Sequence, residues 1–227
     1  MTFREGLKDG LPIGLGYLSV SFAFGIFACS SGLSVLEALL ISMCNLTSAG
    51  QLAGIPIIIS AGSYLEMAAT QLTINLRYAL MSLSLSQKLA ESVSFADRFW
   101  IAFVNTDEIF AVSASKKGAL TRQYMFGLLI LPYLGWQSGT LLGGLLGNLL
   151  PAILINALTI AIYGMFIAIV VPVCRKERAV LYCSLMAVAL SCFFYYYTEI
   201  PSGFSIILCS VISAGIMALC KPIEVES

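Results

Sequence analysis

LPIGLGYLSVSFAFGIFACSS, residues 11–31, contains no charged side chain. About 20 helical residues rise through about 30 Å, the thickness of a bilayer's hydrocarbon core. The apolar residues run on without alternating, which predicts a helix and not a barrel strand. The same reading extends outward to apolar runs at 36–61, 64–86, 99–115, 123–146, 151–173, 179–197 and 202–220. Glu37 sits at the edge of the second run and the third carries Glu66 and Arg77. The fourth is short and carries Asp107 and Glu108. The fold class expected is an all-α membrane protein, a polytopic helical bundle of about eight spans. It falls to seven if the fourth run is a re-entrant hairpin or an amphipathic helix. A single transmembrane domain over residues 1–227 is expected.

Composition agrees. Of 227 residues, 59% are apolar and 11% charged, and the mean hydropathy is +0.94. A soluble domain is ~45–50% apolar and ~25% charged. These values exclude a disordered chain and argue against a water-soluble one. Twelve basic and twelve acidic residues balance, with no basic tract, so nucleic acid is not an expected partner. There is no histidine, which removes the commonest general base and metal ligand. The seven cysteines lie mostly in apolar runs and form no C-x-x-C, so they read as small buried hydrophobes. No Walker A sequence and no Gly-x-Ser-x-Gly elbow is present. No cofactor, metal or enzymatic activity is expected.

The cationic residues set an orientation. With the N-terminus in the cytoplasm and eight crossings, Arg4, Lys8, Lys116, Lys117, Arg122, Arg175, Lys176, Arg178 and Lys221 lie inside. Lys88 and Arg98 lie outside. This positive-inside bias predicts cytoplasmic termini, with MTFREGLKDG as a mature tail. Trp100, Trp136 and Tyr195–Tyr197 are expected at the membrane interfaces. A faint repeat pairs Gly16-Tyr17…Gly25 with Gly135-Trp136…Gly144, each followed by a late proline, Pro56 or Pro172. Gly14, Gly16, Gly139, Gly143, Gly144 and Gly147 suit small-residue faces on which helices approach closely.

Polar residues concentrate in three places. The second run holds Asn45, Thr47, Ser48, Ala49, Gly50, Gln51, Gly54 and Pro56. Pro56 removes a backbone donor and the glycines weaken the helix. Two readings stand side by side: a broken helix whose ends face a solute, or a kinked helix satisfied by its neighbours. The third run carries Asn75 and Arg77, a guanidinium costing about 2.5–3.5 kcal/mol or more at mid-bilayer unless paired. The fourth offers Asn105, Thr106, Asp107 and Glu108, so Arg77 is expected to pair with Asp107 or Glu108. The candidate substrate-binding set is Asn45, Ser48, Ala49, Gly50, Gln51, Asn75, Arg77, Asn105 and Thr106. Arg77, Asp107 and Glu108 form the candidate ion-pair or proton set. A zwitterionic amino acid would suit them. Glu66, near the start of its run, is expected to snorkel to the interface.

With those residues in view, the chain resembles the AzlC family, the large subunit of bacterial branched-chain amino-acid exporters of the LIV-E type. The resemblance rests on the opening Phe3–Pro12, on Ser48-Ala-Gly-Gln51, on Asn75-Leu-Arg77-Tyr78 and on Thr106-Asp-Glu108-Ile-Phe110. Tyr78 stands where the family commonly has histidine. The resemblance implies a secondary transporter subunit exporting branched-chain or similar neutral amino acids across the bacterial cytoplasmic membrane. It implies a small multi-span partner of the AzlD type. The alternative is a membrane scaffold that stabilises such a partner without transporting.

Overall fold

The computed structural model describes residues 1–151, 153, 167, 170–171, 173–175 and 177–220. Most of the sixth run, and Pro172, Lys176 and Lys221, lie outside the described residues. Their regular secondary structure is helical, apart from one isolated bridge between Leu89 and Leu120. The helices are α1 (Phe3–Ser30), α2 (Val35–Cys44), α3 (Ser48–Ile59), α4 (Tyr64–Lys88), α5 (Phe95–Val104), α6 (Asp107–Ser115), α7 (Arg122–Leu146), α8 (Arg178–Tyr197) and α9 (Ser202–Cys220).

Four helices, α1, α7, α8 and α9, are long and apolar enough to cross a bilayer singly. The second and fourth runs are not single helices. The second divides into α2 and α3, of 10 and 12 residues, and the fourth into α5 and α6, of 10 and 9. A 10-residue helix rises about 15 Å, half the hydrocarbon thickness.

The first break falls at the start of the polar stretch 45–56. The chain leaves the helix at Asn45, with φ −146° and ψ 108°, well before Gly50, Gly54 and Pro56. Asn45 Oδ1 accepts hydrogen bonds from Thr47 N at 3.2 Å and Thr47 Oγ1 at 2.7 Å. A short amide side chain that bonds the backbone just ahead of it competes with the helical ladder. The proline stays inside α3, because losing one donor costs less than a helix end that must be satisfied in hydrocarbon.

The described residues form two compact units. One contains Met1–Leu52 and the chain from Ile74 through α7; the other contains Ala53–Thr73 and the described residues beyond 160. In the first unit α1 and α7 run side by side in the same direction, backbone against backbone. A Cβ on Gly10 would lie 2.5 Å from Leu128 O, and one on Gly14 2.7 Å from Leu131 O. Gly139 and Gly143 face Leu18 and Phe22 in the same manner. Gly16 is not part of this face: nothing approaches within 4 Å of its Cβ position. Residues paired in the sequence repeat meet here. The Tyr17 and Trp136 rings form a T with centroids 5.1 Å apart, and Gly25 abuts Gly144 N. Trp136 is therefore buried at 3% exposure and is not an interfacial aromatic. Around this seam Leu85, Ile101, Ile109, Leu120, Met125 and Leu128 form the core.

Ser94 and Asp97 cap α5 reciprocally, ahead of the apolar run. Bonds from Ser94 and from Arg122, 2.9 Å away, hold the Asp97 carboxyl below its ordinary value of 3.8. A carboxylate depressed by folding stabilises above the unfolded value and loses that contribution as pH falls through the folded one. Thermal unfolding in detergent across pH 2–6 (roughly the window in which an aspartate titrates) should show the parent losing its advantage over Asp97→Asn as the pH drops. A difference that does not change with pH would refute this.

In the second unit α8 buries none of its residues among those described. Leu185, Val188 and Tyr195–Tyr197 are exposed, an apolar face suited to lipid. Glu66 does not snorkel. It is 4% exposed, and its Oε1 accepts a hydrogen bond from Gly203 N of α9 at 3.0 Å.

Candidate functional site

Both helix breaks, at α2–α3 and α5–α6, lie in the first unit. Asn105 and Thr106 are extended, with ψ of 122° and 174°. Thr106 occupies the N-cap of α6 but makes no capping bond. Its hydroxyl instead meets the Tyr17 hydroxyl, which also bonds Glu108 Oε2. With one proton to give, Tyr17 donates to the carboxylate and accepts from the threonine.

From Tyr17 the contacts continue to the other break. Its ring packs on Trp136, whose Nε1 donates to Gln51 Oε1 at 3.1 Å. Gln51 Nε2 donates to Ser42 Oγ at 2.9 Å, and Ser42 Oγ lies 2.7 Å from Thr140 Oγ1. Gln137 Nε2 donates to the Ser42 carbonyl at 3.1 Å. Ser42 is in α2 and Gln51 in α3, so the glutamine side chain bridges the interruption. Gln51, Ser42, Thr140, Thr106 and Trp136 are all buried. Polar groups this deep are tolerated because they satisfy one another.

Arg77 pairs with Asp107 and not with Glu108. The Nη2–Oδ2 distance is 2.9 Å, with both side chains about half exposed. Arg77 also donates to Tyr78 OH at 3.0 Å, and its guanidinium lies 4.8 Å from the Tyr78 ring centroid. Asn105 Nδ2 donates to Ser82 Oγ at 3.1 Å, while Asn105 Oδ1 is buried without a hydrogen-bond partner among the described residues. Such an acceptor is rare in a folded interior and is free to receive a donor from a ligand.

The sequence-derived set is thus partly assembled. Gln51, Thr106, Glu108, Arg77, Asp107 and Asn105 lie at or beside the two breaks. Asn45 bonds Thr47 just ahead of it in the chain. Gly50 is buried in the first turn of α3, while Ser48 and Ala49 are half-buried there and make no side-chain bond to the network. Asn75 is half-buried on α4, two residues before Arg77. The sequence reading missed Tyr17, Ser42 and Thr140 as site residues. Tyr17 and Trp136 had a signal in their matched positions in the faint repeat; Ser42 and Thr140 are ordinary helix residues and had none.

Residues 12–150 match the AzlC protein family. The chain belongs to that family. The matched region includes both breaks, Arg77, Asp107 and Glu108. An archaeal relative from Archaeoglobus fulgidus, described as a membrane protein, is 33% identical over 172 residues, covering 75% of each chain. The inner membrane protein YgaZ of Escherichia coli is 34% identical over 152 residues, 65% of this chain and 62% of YgaZ. The branched-chain amino acid transport protein AzlC of Bacillus subtilis is 22% identical over 180 residues, 78% of this chain and 70% of that protein. No solved structure matches the chain. Relatives named as membrane proteins and helices fit to cross a bilayer agree: this member of the AzlC family is an α-helical membrane protein.

Proposed function

We propose that the chain is a secondary transporter subunit that exports branched-chain or similar neutral amino acids across the bacterial cytoplasmic membrane. In this reading α5–α6 is the re-entrant hairpin that the sequence left open, its two ends held together by the Leu89–Leu120 bridge and the Arg122–Asp97 pair, so Lys88 and Arg98 lie on the same side as Lys116 and Arg122, with the N-terminus in the cytoplasm. A small AzlD-like subunit is its partner, as the family resemblance implies. The name of the B. subtilis relative supports the substrate class.

The observation that carries the reading is the charge balance at the second break. One guanidinium stands beside two carboxylates, of which it pairs with Asp107, while Glu108 is held by a tyrosine hydroxyl. That leaves one negative charge for a cation to balance. The ammonium of an amino acid suits it, with Asn105 Oδ1 as a further acceptor. The substrate carboxylate competes for Arg77, whose planar donors fit a carboxylate bidentately. A proton on Asp107 or Glu108 balances the same charge when the site is empty, which links substrate and proton movement. Apolar walls accept the aliphatic side chain.

Efflux of labelled leucine or valine from vesicles tests this, with Arg77→Ala, Asp107→Asn and Glu108→Gln. Each should slow efflux at least tenfold, the equivalent of about 1.4 kcal/mol in the barrier. Parent-like efflux by all three properly inserted variants would overturn the site.

A further inference from the structure

A buried acid lies apart from this constellation in sequence and chemistry. Glu66 occupies the first turn of α4, eleven residues before Arg77 in the sequence. It is 4% exposed and takes part in no ion pair among the described residues. Its Oε1 accepts from Gly203 N. Thr70, one turn further along α4, is fully buried, and its Oγ1 has no hydrogen-bond partner among the described residues. Both side chains converge on Gly203. A Cβ there would lie 2.5 Å from Thr70 Oγ1, 2.7 Å from Glu66 Cγ and 2.8 Å from Glu66 Oε1. The other carboxylate oxygen, Oε2, faces Gly62, 2.9 Å from the Cβ position there. Two glycines thus leave space around a carboxylate that a longer side chain would fill.

We propose that Glu66, with the Thr70 hydroxyl beside it, is a proton-binding site at the start of α9, separate from Asp107 and Glu108. An ionised carboxylate without a cationic partner is costly in an apolar interior. The Gly203 N–H and the positive end of the α9 dipole lie against one carboxylate oxygen. The step is the simple equilibrium of carboxylate plus proton giving carboxylic acid. A metal cation is the weaker occupant: sodium or calcium requires a cage of several oxygens, and the described donors are Glu66 and Thr70.

Few other charges act on this site among the described residues. The turn 60–63 and the first turn of α9 carry no titratable side chain. Glu199, exposed and four residues ahead of Gly203, is the acid nearest in sequence on that side, and Tyr64 is the titratable neighbour on α4.

The test is infrared difference spectroscopy of the purified protein in lipid vesicles, alkaline against acid, in sodium-free buffer. Glu66→Gln keeps the volume and an acceptor for Gly203 N–H, so a purely structural role would leave the protein unchanged. The proposal expects a protonated-carboxyl carbonyl band in the parent that Glu66→Gln removes. In Thr70→Val, which leaves the acid in place, the same band should shift in frequency. Identical spectra for parent and Glu66→Gln, or a band that responds to sodium and not to pH, would overturn it. A transport arm rests on the function proposed above. Glu66→Gln should retain exchange of amino acid at equal concentrations yet lose at least tenfold of the stimulation by a pH gradient. If the parent itself moves no amino acid, the transport reading fails while the infrared result still decides Glu66.

Discussion

Gly143→Val will destabilise the protein by about 3 kcal/mol, the upper end for forcing atoms into a packed interior. The Cβ position on Gly143 lies 2.8 Å from the carbonyl carbon of Phe22, nearer than real Cβ atoms come. The neighbour is backbone, so relief requires α1 and α7 to separate. Separation loosens the Tyr17–Trp136 contact and opens the interface at Gly10 and Gly14 together. In lipid no hydrophobic force restores the pair, because the tails are as apolar as the helix faces, and close van der Waals contact is what holds it. Gly16→Ala is the matched control. With nothing within 4 Å of its Cβ position, alanine there should leave stability unchanged or raise it by up to about 1 kcal/mol. Thermal unfolding in detergent measures both. Equal midpoints for the two variants would show that the seam is not the packed interface described.

Gln51→Leu should act on function as strongly. The amide receives the Trp136 N–H and gives its own to Ser42, so it both crosses the α2–α3 break and joins that break to α7. Leucine is similar in volume and can do neither. The Trp136 N–H is left buried without an acceptor, a cost of about 1–3 kcal/mol. The expectation is a folded protein with a lower unfolding midpoint and at least a tenfold slower amino-acid efflux, about 1.4 kcal/mol in the barrier. Trp136→Phe separates the causes, since it keeps a ring against Tyr17 but has no N–H to strand. The double variant Gln51→Leu/Trp136→Phe should then be less destabilised than the sum of the two singles, because the stranded donor is gone. Strict additivity of the unfolding free energies would refute the bond between the two side chains.

Much of the site was legible in one dimension. Arg77, Asp107 and Glu108 stand out because ionised groups are expensive within apolar runs, and Gln51 and Thr106 belong to dense polar clusters. The choice of partner was not legible. Asp107 and Glu108 are neighbours in the chain, and only their directions from the first turn of α6 send one to Arg77 and the other to Tyr17. Glu66 shows the same limit: its place near the start of a run suited a snorkelling side chain, and the approach of Gly203 made it a buried one.

By itself, the order of apolar and polar residues determined that this chain is helical and built for a bilayer. It also placed the costly polar groups in the second, third and fourth runs. Those properties follow from composition and spacing, which are local. The tertiary structure alone decided where the helices break, which glycines carry the α1–α7 seam, and that Tyr17, Trp136, Gln51 and Ser42 join the two interruptions. The physical reason is reach. A hydrogen bond between residues 85 positions apart, such as Trp136 to Gln51, leaves no trace in neighbouring sequence. It exists only once two backbones have packed closely enough to bring its partners within about 3 Å.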